Sequence, residues 1–127
     1  MLNVATKSSR GSRIIYAGVD LFESNFTPEI KAKEVSVTPK SIEYVRNFLS
    51  MPQVEVSLHE GWSFEILPNL AGRFDLIVID GGHSYETIKG DFLIAAKLLS
   101  KDGAIIFDDF TNAKGVEFGG FGINQVI

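Results

Sequence analysis

Four side chains suited to handling ions and protons fall at the two ends of one stretch of this chain: Asp80 and His83 at the first, Asp108 and Asp109 at the second. Asp80 follows the large aliphatic run Leu76-Ile77-Val78-Ile79, so desolvation raises the cost of its charge unless amides or a cation compensate. Asp80 with Asp108 or Asp109 offers hard oxygen ligands to Mg²⁺, with water or a substrate oxygen completing the octahedron. The alternative is repulsion relieved by loop amides and nearby lysines. His83 stands where a neutral imidazole can take a proton from a hydroxyl, or where it serves only as a hydrogen-bonding turn residue. His59 is read as a turn residue at the end of another strand. Trp62 offers a flat face to an aromatic ligand, or anchors a short helix.

The elements that must position these groups are written in the hydropathy pattern. Ile14 to Val19 is a short apolar run ending at Asp20, as in a buried strand with a polar tip. Leu2 to Lys7 before it is read as the last turns of a helix. Residues 21–37 have poor periodicity and form a long loop. Thr38-Pro39 starts a helix, continued by Ile42, Val45, Phe48 and Leu49 at helical spacing. Val54, Val56 and Leu58 alternate as in a strand, and a short helix follows over Trp62 to Leu70. The segment from Phe74 to Ile79 is expected to be a strand buried on both faces. Ser84 then caps a helix whose apolar stripe runs from Tyr85 to Leu99. Ala104 to Phe107 forms the last strand.

Strands alternating with helices predict an α/β fold: a Rossmann-like, doubly wound, mainly parallel sheet with helices on both faces. Ligands bind such sheets outside the carboxyl ends of the strands. Each predicted strand ends there in acid or glycine: Asp20, Glu60-Gly61, Asp80-Gly81-Gly82 and Asp108-Asp109. Each taken singly is equally well a solvated turn residue or helix cap.

Composition narrows the function classes. The 127 residues suit one domain, 1–127, and 45% hydrophobic with 22% charged residues is the balance of a globular chain. Twelve Lys and Arg against sixteen Asp and Glu give a net charge of −4 with no basic run, so the electrostatic footprint of nucleic-acid binding is missing. No stretch approaches the roughly 20 apolar residues that span a bilayer, and no secretory core follows Met1. With no Cys, disulfide staples and thiolate zinc sites are excluded, which is compatible with a soluble cytoplasmic protein.

Phe74-Asp-Leu-Ile-Val-Ile-Asp-Gly-Gly-His-Ser-Tyr85 and Leu98-Leu-Ser-Lys-Asp-Gly-Ala-Ile-Ile-Phe-Asp-Asp109 resemble class I S-adenosylmethionine-dependent methyltransferases, especially the family-24 and macrocin O-methyltransferase branch. Gly18-Val-Asp-Leu-Phe-Glu23 and Glu60-Gly-Trp-Ser-Phe-Glu-Ile-Leu-Pro68 add to the resemblance, which runs from about Tyr16 to Asn112. It implies that Asp20 hydrogen-bonds the cofactor ribose, that Gly61, Trp62 and Ser63 border the adenine, and that Asp80 lies near the methionine end. In the metal-dependent relatives, carboxylates matching Asp80, Asp108 and Asp109 hold a divalent ion. His83 is then placed as the base for a small-molecule hydroxyl acceptor, with methyl transfer aided mainly by alignment.

The chain departs from that pattern in one place. No Gly-x-Gly precedes Asp20, so the family's first strand and its glycine-rich loop are expected to be missing, as is the closing antiparallel strand pair. The chain then resembles a middle piece whose sheet has a central gap or an exposed edge, to be covered by dimerisation or strand exchange. Two other classes remain: a non-catalytic binding or dimerisation module, and a phosphoryl-transfer or hydrolytic domain using Asp80, Asp108 and Mg²⁺.

Overall fold

Runs of β-branched residues set the strands, and what pairs them is legible only in space. The computed structural model describes residues 2–7, 13–25, 27–29, 40–82 and 84–108. In order these form β1 (Leu2–Lys7), β2 (Ile14–Asp20), α1 (Ile42–Phe48), β3 (Val54–Glu60) and α2 (Ser63–Ile66). A 3-10 turn (Leu67–Asn69), β4 (Phe74–Ile79), α3 (Tyr85–Leu98) and β5 (Leu99–Phe107) follow. The strands make one five-stranded sheet in the order β3-β2-β1-β4-β5.

The sheet is mixed. β2 pairs with β3 in parallel, and β4 with β5 in parallel, each pair joined through a helix. β1 lies between the pairs and runs antiparallel to both β2 and β4. β2 to β5 therefore point one way, and β1 alone points the other.

This overturns two expectations. Leu2 to Lys7 is a strand, not the end of a helix, and the centre of the sheet is filled rather than open. The physical reason is visible in both places. Leu2, Val4 and Thr6 alternate with Asn3, Ala5 and Lys7, a period of two. Both inner edges, on β2 and on β4, carry backbone groups that need partners. A six-residue strand placed between them satisfies both.

One face of the sheet carries the core. Ala17 and Val19 of β2, Ile77 and Ile79 of β4 and Phe74 are buried against Leu67 of the 3-10 turn and Ala95 of α3. Phe92 of α3 meets Phe107 of β5 with ring centroids 5.7 Å apart, a tilted aromatic contact. Leu76 and Val78 on the other face are only half-buried, so β4 is not enclosed equally on both sides as its apolar run suggested.

The helices start where their caps dictate. Ser84 accepts a hydrogen bond from the Thr87 amide at 3.2 Å, as predicted for α3. Ser41 caps α1 in the same way, accepting from the Tyr44 amide at 3.2 Å, while Thr38 and Pro39 lie outside the described residues. Ile42, Val45 and Leu49 are half-buried, and Phe48, expected in the same stripe, is 76% exposed. β5 begins at Leu99, directly from α3, five residues before the strand expected at Ala104. The pairing with β4 is irregular between Phe74 and Leu76, which absorbs the extra length. No helix among the described residues is long and apolar enough to cross a membrane.

Arg73 fastens the end of α3 to the start of β4. Its Nη1 donates to the carbonyl oxygens of Lys97 and Leu99, the latter at 3.3 Å, satisfying acceptors that a helix terminus leaves open. Arg73→Ala is expected to lower stability by about 1 kcal/mol, the usual worth of such a bond at an exposed position. Urea unfolding should show a lower midpoint at an unchanged slope.

Candidate functional site

The parallel direction of β2 to β5 brings Asp20, Glu60, Asp80 and Asp108 to one edge of the sheet. Their level is fixed by pairing. Asp20 is the register partner of Glu60, and Val19 and Ile79 both pair with Leu2. Ile79 pairs with Phe107, and the Asp108 amide donates to the Ile79 carbonyl at 3.0 Å. Asp80 and Asp108 are therefore neighbours on adjacent strand ends. Asp20 and Asp80 are separated by the width of β1, about 10 Å over two strand spacings. That interval leaves room for a ligand of nucleoside size between the two carboxylates.

The turn after β2 is tightly held. The Phe22 amide donates to Asp20 Oδ1 at 3.4 Å, and the Gly61 amide donates to the Asp20 carbonyl at 2.9 Å, tying the ends of β2 and β3 together. Ser24 Oγ donates to Glu60 Oε1. Phe22 adopts φ 49°, a left-handed backbone that costs roughly 1–2 kcal/mol in a residue with a side chain. Its ring is only 2% exposed, and burial of that ring offsets the strain.

Gly18 and Gly61 are glycine for separate reasons. A side chain at Gly18 would stand 3.0 Å from Leu58 Cδ2 and 3.1 Å from Tyr16 Cε1, so its absence lets the Tyr16 ring lie along β2 toward Asp20. Burial, and then the nearby Asp20 carboxylate, push the Tyr16 phenol above its ordinary value. Gly61 has φ 143°, where a side chain is strained, and it turns the chain from β3 into the loop before α2.

That loop presents Trp62, 44% exposed, stacked at 6.0 Å and 25° on Phe64. Trp62 thus contacts the short helix through Phe64 and still keeps an open face, so the helix contact and the exposed ring coexist. Ser63 follows and donates from Oγ to Asp91 Oδ1 of α3 at 2.5 Å. His59, within β3 rather than in a turn, shares a 2.8 Å hydrogen bond between its Nε2 and Ser57 Oγ on the same face of the strand.

Of the residues singled out in the sequence, Asp20, Gly61, Trp62, Ser63, Asp80 and Asp108 share this edge. His83 and Asp109 lie outside the described residues. Among the described residues no group of three or more His, Cys, Asp or Glu gathers as a metal centre would require. The described residues do not by themselves build a Mg²⁺ site.

Two residues escaped the sequence reading: Tyr16 and Asp91. The signal for Asp91 was present, because Ile88, Asp91 and Ala95 form the buried face of α3 and a carboxylate there interrupts an apolar stripe. Burial pushes the Asp91 carboxyl above the usual range, against the lowering effect of the Ser63 hydroxyl. The native state thus holds this proton more tightly than the unfolded chain does. Its contribution to stability is full at low pH and is lost as pH rises through the ordinary carboxyl range and the raised native value. Asp91→Asn should flatten that part of the stability profile, measured as melting temperature between about pH 4 and 7.

A stretch of 47 residues, 37% of the chain, is 40% identical to an uncharacterized protein of Acanthamoeba polyphaga mimivirus, of which it covers 21%. The chain thus aligns with only about a fifth of that relative's length. No solved structure matches at a significant level. The sequence profile described as "Methyltransferase domain" matches residues 5–110, which takes in β2 to β5 and all four acidic strand ends, and the chain belongs to that family.

Proposed function

We propose that the chain binds S-adenosylmethionine across its acidic sheet edge and serves methyl transfer to a hydroxyl of a small molecule. The observation that carries this reading is the placement of Asp20, the Gly61–Ser63 turn and Asp80 at one level of one edge, within a methyltransferase domain. The described residues fit the nucleoside half of the cofactor. The Asp20 carboxylate is an acceptor for ribose hydroxyls, and the exposed ring of Trp62 is a surface for the adenine. When bound, S-adenosylmethionine supplies an electrophilic methyl group at its sulfonium. Asp80, beyond β1, would face the methionine end. His83 would take the proton from the acceptor hydroxyl, and the edge would contribute mainly by aligning the reactants. Helices over the second face would complete the doubly wound layout.

The reversed central strand favours a second reading. In a sheet whose strands all run one way, the loop between the Asp20 and Asp80 strands rises at this edge. Here β1 brings its amino end, Leu2, to that position and carries Lys7 to the far edge. A module that keeps nucleoside recognition without turnover fits this arrangement.

Titration calorimetry with S-adenosylhomocysteine tests the first claim. Binding by the wild type and a loss of at least about tenfold in Asp20→Ala are expected, since a carboxylate that accepts ribose hydroxyls is worth about 1.5 kcal/mol or more. No heat at millimolar ligand sinks the methyl-donor reading. Binding without transfer to any hydroxyl acceptor selects the module.

A further inference from the structure

Asp91 is the buried charged side chain of the described residues, 5% exposed, and it is set in the face of α3 that also buries Ile88 and Ala95. A carboxyl in such a place is costly unless it is hydrogen-bonded. The partner is Ser63 Oγ at 2.5 Å, the first residue of α2. α2 is a single helical turn, and its N-cap position, Trp62, makes no side-chain cap. The loop Gly61-Trp62-Ser63 therefore enters α2 without the usual cap, and the bond to α3 takes the cap's place in fixing it.

We propose that Asp91 is a positioning residue for the ligand edge: through Ser63 it sets the Gly61–Ser63 turn and the exposed ring of Trp62 against which a purine base lies. Asp91 does not touch the ligand. The inference rests on the cofactor reading above for the identity of that base. Its mechanical part, control of Trp62 by a residue of another helix, stands on the hydrogen bond alone.

Trp62 is the only tryptophan in the chain, so its fluorescence reports this turn directly. Asp91→Ala is expected to shift Trp62 emission and to weaken S-adenosylhomocysteine binding by about tenfold, equal to about 1.4 kcal/mol. Ser63→Ala should reproduce both effects, and the double variant should be no worse than either single one, because both remove the same bond. Asp91→Asn keeps an acceptor oxygen for Ser63 and should restore emission and affinity. Arg73→Ala loosens the far end of α3 and should leave both at wild-type values. The proposal is overturned if Asp91→Ala and Ser63→Ala leave emission and affinity unchanged, or if Arg73→Ala alters them as much. Should Asp91→Ala not fold, Ser63→Ala and the Asn variant decide the matter. A wild type that binds no S-adenosylhomocysteine would defeat the cofactor reading, while the emission arm would still decide whether Asp91 governs Trp62.

Discussion

The pairing of β1 with two neighbours at once is the constraint on which the sheet depends. β2 with β3 and β4 with β5 are each parallel pairs closed through a helix, and each would present an open inner edge. Unpaired strand edges are costly when covered and adhesive when exposed. β1 satisfies both inner edges from one six-residue segment, joining two halves into a single sheet. The level of Asp20 relative to Asp80 is set through the same strand, since Leu2 is the shared partner of Val19 and Ile79. Site geometry and sheet integrity thus have one origin.

The edge itself divides into two kinds of support. Around Asp20, backbone amides and a strained but buried Phe22 hold the turn in place, a local arrangement within a few residues. Around Trp62 the support comes from a distance, through Ser63 to Asp91 on the helix that follows the next strand. Leu67, which follows α2, and Ala95 of α3 belong to the buried core, so both ends of this second arrangement are rooted in it. Asp91 shares the buried face of α3 with Ala95, one turn on, so burial of that face holds the carboxyl that reaches Ser63.

Much of this was legible in the sequence because it is local. The Ser84 cap, the alternation of Val54, Val56 and Leu58, the apolar run before Asp80 and the acidic strand ends each depend on neighbours within one turn or one strand. The family resemblance, read from the segments around Asp80 and Asp108, agrees with the profile that matches residues 5–110. Leu2 to Lys7 was misread because its local alternation is too short and too weak to decide alone. Six residues with one Ala and one Lys have no strong preference, and the two open edges decide their conformation. Asp91 was passed over because a stripe is judged by its apolar members, whereas the interruption carried the information. The start of β5 was missed because Asp102-Gly103 reads as a turn, whereas the strand begins at Leu99 opposite Phe74 and takes residues 100–103 through an irregular stretch before regular pairing resumes at Ala104.

The position of β1 also orders the assembly of the molecule in time. Lys7 pairs with Ile14 across a short connection, but Leu2 pairs with Ile79 across about 75 residues. Closing the longer loop costs roughly 2 kcal/mol more in chain entropy than closing the shorter. Contacts of such range are made late, after local ones have shortened the path between them. The two strand-helix-strand halves are therefore expected to form first and the union of β1 with β4 last. The interval between Asp20 and Asp80, on which a nucleoside would have to fit, exists only where β1 is joined to both β2 and β4.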